Sequence, residues 1–278
     1  MDDREPRGGP RPPPTRKSLG QHFLSDPRIL ARIADAAQIA PGETVVEIGP
    51  GRGGLTAQLL ERAGHVIAIE VDRKLAELLR ARWSGEPKFE MVERDVLAEP
   101  LASVFGGEVP EQWSLVGNVP YYITTPILFH ALERPRPSRA VYLVQKEVAD
   151  RLVAKPGSES YGALSVNVQA LANVEQLFKV SPGAFNPPPK VDSAVVRITP
   201  RPDPLITPAE EARYKRLVID SFGMRRKQMR RVLREIAKLD VESAEHVLAA
   251  ANVDVDVRPE VVTPQQFAAI LRALPPID

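Results

Sequence analysis

The sequence contains no cysteine and only four histidines among its 278 residues. Without cysteine the protein can have no disulfide, no thiolate nucleophile and no cysteine-ligated zinc site. The four histidines, His22, His65, His130 and His246, lack the spacing of metal ligands. We therefore expect a function that does not depend on metal-ion catalysis.

Long apolar runs are also absent. No stretch reaches the roughly 20 apolar residues that cross a bilayer, and the first residues, Met-Asp-Asp-Arg-Glu-Pro-Arg, lack the apolar segment of a secretory signal. With 43% hydrophobic residues the chain can still form a packed core. These properties predict a soluble cytoplasmic protein. A net charge of +1 says nothing about a polyanionic partner, because charges can be segregated along the chain.

The composition divides the chain into three parts. Residues 1–17 carry five prolines and almost nothing apolar, which predicts a disordered tail. A second cluster of prolines, at positions 200, 202, 204 and 208, marks the point where strand-forming composition becomes helical. We therefore expect an α/β domain over residues 18–204 and a helical domain over residues 205–278.

The segment from Thr44 to Asp72 predicts a strand, a glycine turn, a helix and a second strand, which is half of a doubly wound α/β sheet. Gly49, Gly51, Gly53 and Gly54 allow positive φ angles and let a ligand lie directly against the main chain. The turn is therefore a candidate cofactor site.

An acid at the end of the second strand indicates what the turn binds. Glu70 follows Gly49 by 21 residues, about where a nucleotide site places a carboxylate to accept hydrogen bonds from a ribose diol. A dinucleotide and S-adenosylmethionine both fit. Glu47 favours the second, because Glu-x-Gly-x-Gly-x-Gly resembles the first motif of S-adenosylmethionine methyltransferases. The alternative is a turn that binds nothing, which would not explain why an acid stands at this distance from the glycines.

Two further segments are predicted to lie near this turn. Phe89 to Asp95 reads as a third strand, so that Asp95 would lie at the same sheet edge and accept a hydrogen bond from an adenine amino group. An alternative role for Asp95 is a helix N-cap. The Gly-Gln-His-Phe-Leu segment ending at Leu24 precedes a predicted helix and could fold over the cofactor as a lid, although His22 alone is more typical of a surface or hydrogen-bonded histidine.

The most specific motif is Asn118-Val119-Pro120-Tyr121, at the end of a predicted fourth strand. It resembles the fourth motif of methyltransferases that act on exocyclic amino groups. The amide oxygen of Asn118 and the carbonyl of Val119 would accept the N–H groups of an amine and draw out its lone pair. Pro120 would fix the turn and Tyr121 would stack on the base. Alternatively, these residues form an ordinary turn with a half-buried tyrosine.

A proline-rich loop from Pro182 to Ser193 carries Phe185, a second aromatic residue that could stack on the base opposite Tyr121. The competing interpretation is a hydrophobic residue that anchors the loop. On either side of this region we expect strands at Leu164 to Leu171 and at Ser193 to Ile198.

The positive charge is concentrated in one region. Arg213 to Lys238 contains ten basic and two acidic residues, a local charge of +8. Within it, a predicted helix around residues 222–233 places Met229, Val232 and Leu233 on one side. The other sides carry candidate phosphate-binding residues, which we name the basic cluster: Arg225, Arg226, Lys227, Arg230 and Arg231. The alternative is an ordinary solvated face.

Five motifs together resemble the ribosomal RNA adenine dimethyltransferase family: Gly-Gln-His-Phe-Leu, Val-Glu-Ile-Gly-Pro-Gly-x-Gly, Gly-Asn-Val-Pro-Tyr, Phe-Asn-Pro-Pro-Pro-Lys-Val-Asp-Ser and Phe-x-x-Arg-Arg-Lys-x-x-Arg. The resemblance implies a class I S-adenosylmethionine methyltransferase with a Rossmann-like, seven-stranded sheet and a small all-helical C-terminal domain. It implies dimethylation of two adjacent adenines near the 3′ end of 16S ribosomal RNA, presented on a pre-assembled small subunit. The cofactor site it implies consists of His22, Leu24, Gly49, Gly51, Glu70, Asp95 and Asn118.

Two positions depart from the family pattern, and two other functions stay open. His22 stands where asparagine is frequent, and Tyr122 where a smaller polar residue is common, so a cofactor contact by the His22 side chain is an open question. Methyltransferases that modify 23S ribosomal RNA and confer macrolide resistance share the cofactor motifs. A non-catalytic assembly factor that binds RNA through the basic cluster is the third hypothesis. We expect a monomer with an added role in subunit maturation.

Overall fold

The structure, a computed structural model, describes residues 22–119 and 123–275. The predicted disordered tail lies outside these residues. Contacts along the chain define two compact units, each discontinuous in sequence. The first comprises Met1–Gln145 and Leu177–Arg197, and the second comprises Lys146–Gln176 and Ile198–Asp278.

Strands and helices alternate through the first half of the chain. The strands are β1 (Phe23–Leu24), β2 (Thr44–Ile48), β3 (His65–Glu70), β4 (Phe89–Glu93), β5 (Trp113–Asn118), β6 (Arg139–Gln145), β7 (Ala172–Val180), β8 (Phe185–Asn186) and β9 (Ser193–Pro200). The helices are α1 (Pro27–Ala36), α2 (Gly54–Leu60), α3 (Arg73–Arg82), α4 (Thr124–His130), α5 (Lys146–Val153), α6 (Ala163–Leu171), α7 (Glu211–Gly223), α8 (Met229–Ile236), α9 (Val241–Ala250) and α10 (Pro264–Ala273). Among the residues that the structure describes, no helix is long and apolar enough to cross a membrane.

Seven strands form one sheet in the order β4-β3-β2-β5-β6-β9-β7, and the pairs from β4 to β6 are parallel. From β2 the chain continues to β3 on one side, and β5 later pairs on the other side. Ligands of doubly wound sheets bind at such a reversal, beyond the carboxyl ends of the strands. The register pairs Ile48 with both Ile69 and Gly117, so β2, β3 and β5 end at the same edge. This confirms the doubly wound, Rossmann-like sheet that the sequence predicts.

The core of the first unit lies between the sheet and helices α1 and α2. Alternate strand residues such as Val45, Val116 and Val141 point to this face and are fully buried. Helix residues such as Ile33 and Leu59 pack against them. A parallel sheet covered by helices has no solvated face, which explains why its strands read as nearly continuous apolar runs.

The second unit is mostly helical, and one of its helices corrects a sequence prediction. Residues 164–171, predicted as a strand, belong to helix α6, whereas the strand that follows it, β7, was not predicted. Helix α6 is buried on nearly all sides, including Val166 and Val168. Its apolar and polar residues alternate from Leu164 to Gln169, which is the period of a strand, because a helix buried on nearly all sides has no solvated face to impose the 3.6-residue period. The Gly162 N–H donates to the Ser165 hydroxyl at 3.1 Å and caps its first turn.

Candidate active site

The glycine turn after β2 has the backbone conformation that a close ligand requires. Gly49, Gly51 and Gly53 have φ angles of +66°, +57° and +77°, which residues with a Cβ rarely adopt. At Gly51 and Gly53 the surroundings also crowd out a side chain. A Cβ on Gly51 would lie 3.0 Å from the ring of Phe23, and one on Gly53 would lie 2.4 Å from the ring of Trp83. The turn is therefore a tight backbone cradle, which fits a nucleoside ligand.

Glu70 holds the turn against the end of β3. Its carboxylate accepts the Gly51 N–H at 3.2 Å through one oxygen and the Asp72 N–H at 3.0 Å through the other. Burial raises the pKa of Glu70, while these backbone N–H groups lower it. Each carboxylate oxygen has a second lone pair, so Glu70 retains acceptors for ribose hydroxyl groups. This geometry fits the predicted role.

Glu47 lies inside β2 and has 1% of its surface exposed. Burial raises the pKa of Glu47 to about 8, the nearby Thr56 hydroxyl opposes the rise and the negative charge of Glu70 adds to it. Glu47 Oε2 has no hydrogen-bond partner in the part of the chain that the structure describes. Burial thus favours the neutral form of this carboxyl group beside the glycine turn.

Asp95 lies at the sheet edge where the sequence predicts it, although β4 ends two residues earlier, at Glu93. The Arg94 N–H donates to the Glu70 carbonyl at 3.0 Å, which places Asp95 next to the end of β3. The exposed Asp95 carboxylate accepts the Leu97 N–H at 2.9 Å and stabilises the turn that follows. The local turn role is thus present, and the adenine contact stays a prediction.

Asn118 ends β5 beside the glycine turn, and a Cβ on Gly49 would lie 3.6 Å from its carbonyl oxygen. The Asn118 side-chain Nδ2 donates to the backbone carbonyl of His22 at 3.2 Å. Because this contact uses the donor end of the amide, Oδ1 is the end left to accept an N–H from a substrate. Val119 follows with 1% of its surface exposed. Pro120 and Tyr121, predicted to fix the turn and to stack on the base, lie outside the described residues, as does Tyr122.

Phe185 is buried in this structure. It forms β8, pairs with Leu24 of β1 and has 4% of its surface exposed within the apolar core. This placement fits the competing interpretation, a hydrophobic anchor of the proline-rich loop, and stacking on the base stays a prediction. Leu24, predicted to contact the cofactor, lies in the same core with 9% of its surface exposed.

His22 makes contacts that its sequence context did not indicate. Its ring Nδ1 lies 3.0 Å from the carbonyl oxygen of Pro187, and its own carbonyl accepts the Asn118 amide. Phe23 packs over the turn, with the Arg52 guanidinium 4.4 Å from its ring centre. The segment from residue 22 to residue 24 thus lies against the candidate site, as a lid would. The two His22 contacts join positions that are 165 and 96 residues apart, so no local sequence signal could have revealed them.

The basic cluster lies at a break between two helices. Helix α7 ends at Gly223 and helix α8 begins at Met229, so the continuous helix predicted around residues 222–233 is wrong. Turn hydrogen bonds occupy the break, including Lys227 N–H to Met224 O at 2.8 Å. Met229, Val232 and Leu233 are fully buried, which confirms the predicted apolar side.

Ion pairs distinguish the members of the basic cluster. Arg225 lies 3.7 Å from Glu260, Arg230 lies 2.7 Å from Glu245, and Arg231 lies 2.7 Å from Glu235. Arg226 and Lys227 are exposed and have no acidic partner within 4 Å among the described residues. These two side chains are the ones most accessible to a phosphate without breaking an intramolecular pair.

Comparison with known proteins identifies the family. The family model described as "Ribosomal RNA adenine dimethylase" matches residues 14–271. The Ribosomal RNA small subunit methyltransferase A of Geobacter metallireducens is 40% identical over 261 residues, which cover 93% of this chain and 95% of that protein. The protein of the same name from Synechococcus sp. (strain JA-3-3Ab) is 47% identical over 227 residues, 78% of each chain.

Solved structures give the same result for the fold. The crystal structure of the 23S rRNA methyltransferase ErmE superposes with a TM-score of 0.69 at 33% identity, over 91% of this chain and 99% of that one. A dimethyladenosine transferase from Plasmodium falciparum superposes with a TM-score of 0.77 at 27% identity, over 90% and 96%. The fold and the family imply the use of S-adenosylmethionine. The chain therefore belongs to the ribosomal RNA adenine dimethylase family and is a methyltransferase that acts on adenine in ribosomal RNA.

Proposed function

We propose that this enzyme dimethylates the N6 amino groups of two adjacent adenines near the 3′ end of 16S ribosomal RNA. The names of the relatives at 40% and 47% identity support the small subunit as the substrate. The observation that carries the chemistry is the orientation of Asn118, whose amide donor is engaged by His22 at the edge where the glycine turn and Glu70 also lie.

The cofactor of this reaction is S-adenosylmethionine, which supplies a methyl group on a positively charged sulfur when it is bound. The backbone of Gly49 and Gly51 would receive its main body, and the Glu70 carboxylate would accept hydrogen bonds from its ribose hydroxyl groups. Asp95 would accept a hydrogen bond from its adenine amino group. Leu24 and the backbone of His22 would cover it from the lid segment.

The chain activates the adenine by accepting hydrogen bonds. An exocyclic amine is a weak nucleophile because its lone pair is delocalised into the ring. In the first transfer, Asn118 Oδ1 and the Val119 carbonyl would each accept one N–H and favour the pyramidal nitrogen. Its lone pair would bond to the methyl carbon as the carbon–sulfur bond breaks, with a neutral thioether as the leaving group and the proton of the nitrogen released to water. The monomethylated amine has one N–H left, so one of the two acceptors would hold it in the second transfer. Pro120 would hold the carbonyl in place, and Tyr121 would provide a face for the base, a contact worth about 1–3 kcal/mol in single-stranded sites.

The basic cluster provides the RNA-binding surface in this proposal. Arg226 and Lys227 would contact phosphates directly, while Arg225, Arg230 and Arg231 would exchange their carboxylate partners for phosphates. We further propose that the protein acts as a monomer in the cytoplasm, without a metal ion, and contributes to maturation of the small subunit. Among the described residues no cluster of histidine and acidic side chains is arranged to hold a metal ion.

A 23S ribosomal RNA substrate is the second candidate, because the ErmE structure aligns with 91% of this chain at 33% identity. The test offers both substrates to the purified enzyme. Unmethylated small-subunit particles and unmethylated 23S RNA are incubated with labelled cofactor, and the modified positions are mapped. We expect two adjacent dimethylated adenines in the small-subunit RNA alone. Methylation confined to 23S RNA would favour the second candidate.

The catalytic assignment is tested by Asn118→Ala. We expect methyl transfer to fall about 100-fold, because one of two acceptors that act in the transition state is lost. Affinity for the subunit particle should change little. The matched control is Asn173→Ala, which removes an exposed asparagine in β7. Methylation by Asn118→Ala at the rate of the unmodified enzyme would show that the assignment is wrong.

A further inference from the structure

The short strands β1 and β8 tie the lid segment to the proline-rich loop. They pair antiparallel, with Phe23 opposite Asn186 and Leu24 opposite Phe185. The pairing continues one residue further, where both the N–H and the hydroxyl of Ser25 donate to the Ala184 carbonyl, at 2.9 Å and 3.2 Å. The lid backbone on the carboxyl side of His22 is therefore fixed by the loop.

His22 extends this connection to Asn118. Its Nδ1 lies 3.0 Å from the Pro187 carbonyl oxygen, and a carbonyl can only accept, so Nδ1 carries the hydrogen and donates it. Its backbone carbonyl accepts from Asn118 Nδ2 at 3.2 Å. One residue thus contacts the loop through its ring and the amide of Asn118 through its main chain.

The carbonyl of His22 determines which way the Asn118 amide faces. If the amide rotated by 180°, Oδ1 would face the His22 carbonyl and two acceptors would repel each other, with neither hydrogen-bonded. The observed rotamer instead directs Oδ1 away from the lid. The carbonyl can impose this choice only while the backbone of His22 stays in place, and the Nδ1–Pro187 contact adds to the β1–β8 pairing in holding it there.

We propose that His22 is a positioning residue for methyl transfer: anchored by the Pro187 carbonyl, it fixes the Asn118 amide with Oδ1 presented to the substrate amine. This inference rests on the catalytic role of Asn118 in the proposed function. It assigns the His22 ring a task other than the cofactor contact that the family resemblance implies. The two roles predict different kinetics, because a positioning residue affects the reaction rate while a ligand contact affects binding.

Three substitutions separate the contributions of the ring. His22→Asn keeps a donor at the position of Nδ1, His22→Gln moves the donor to the position of Nε2, and His22→Ala removes it. We expect kcat to fall about 10- to 100-fold in His22→Ala and His22→Gln, because a misplaced reacting group costs this much, and to return to within about 3-fold in His22→Asn. The dissociation constant for S-adenosylmethionine, measured by calorimetry, should change less than about 2-fold. His246→Ala, at an exposed position of α9, is the matched control.

A spectroscopic measurement reports on the amide itself. The side-chain amide resonances of Asn118, identified by their loss in Asn118→Ala, should shift in His22→Ala and His22→Gln and stay in place in His22→Asn and His246→Ala. Unchanged resonances in His22→Ala would overturn the proposal. Weaker cofactor binding at unchanged kcat would also overturn it and make His22 a cofactor contact. If Asn118→Ala methylates normally, the proposed function fails in its catalytic assignment, yet the resonances still decide whether His22 orients the amide.

Discussion

Glu47 carries a carboxyl group whose surroundings oppose its ionisation. It lies in a parallel strand with helices over the sheet, where water does not reach it, and burial raises its pKa from 4.5 to about 8. In the unfolded chain the same group ionises near its ordinary value. The folded state therefore binds a proton that the unfolded state has released, over the range between the two pKa values.

We predict that Glu47 makes the folded protein less stable as the pH rises. The raised pKa leaves its contribution intact below about pH 4.5 and removes it progressively up to about pH 8, by at most about 1.4 kcal/mol per pH unit. Glu47→Gln removes this titration. The free energy of unfolding in urea, measured from pH 5 to pH 9, should increase in Glu47→Gln relative to the unmodified protein up to pH 8 and then level off.

The control for this series is Glu108→Gln, which changes an exposed acid in a loop. Its effect on the free energy of unfolding should not depend on pH across the same range. If the difference between Glu47→Gln and the unmodified protein were equally constant, Glu47 would be ionised in the folded state, and a compensating charge or solvent path would have to reach it.

Individual site residues differ in how far the sequence could reveal them. Gly49, Gly51 and Glu70 follow from a local rule, because a tight turn and an acid at a strand end lie within one strand–helix–strand unit. Phe185 and His22 follow no such rule. Their environments are produced by the pairing of β1 with β8, which joins distant parts of the chain, and pairing of that kind leaves no periodic pattern.

At the scale of elements, the predictions succeed where one side of an element is solvated. The buried residues of α8 are predicted correctly, because the apolar residues of an amphipathic helix recur with the helical period. The extent of that helix is wrong, because the prediction followed the helical propensity of the charged residues between α7 and α8 and passed over Gly223, a residue type common at helix ends. Helix α6 is missed for the opposite reason, since it has almost no solvated side.

The basic cluster gives a prediction that belongs to this scale. Replacing Arg225, Arg226 and Lys227 together with glutamine should weaken binding to small-subunit particles. It should also reduce the slope of log affinity against log salt by about 2 to 3, because each phosphate contact releases a counterion. Cofactor affinity should not change. Binding is measured at several salt concentrations with a labelled enzyme.

The control for the basic cluster changes the net charge by the same amount elsewhere. Arg73, Lys74 and Arg80 lie on exposed positions of α3, and their joint replacement with glutamine removes three positive charges from the first unit. If this control reduced the salt slope as much as the first triple variant, overall charge rather than the basic cluster would govern RNA binding.

At the scale of the whole molecule, the chain crosses between its two units more than once. The prolines near residue 204 predict a boundary there, because a change of composition is the only sign of a domain border in a single sequence. The second unit, however, also contains residues 146–176. The chain enters the second unit at residue 146 and returns to the first at residue 177. The composition does not change at either point, so the sequence gives no sign of these two crossings.

Residues 146–176 depend on the C-terminal helices for their contacts. The buried Tyr161 hydroxyl donates to the Val262 carbonyl at 2.8 Å, and the Gly157 N–H donates to the Glu260 carbonyl at 2.7 Å. The Tyr161 ring also packs edge-on against Phe222, with 6.1 Å between ring centres. Removing the partners would leave a buried hydroxyl and a backbone N–H without acceptors and expose an aromatic ring to water.

We therefore predict that a fragment ending at residue 204 will not form a stable domain, although the sequence places a boundary there. Helices α5 and α6 should exchange their amide hydrogens rapidly in the fragment, and its thermal unfolding should be broad and shifted to lower temperature than that of the full chain. Hydrogen exchange followed by mass spectrometry resolves these helices from the sheet. Protection of α6 in the fragment equal to that in the full protein would support the boundary at 204 and show that residues 146–176 fold without the C-terminal helices.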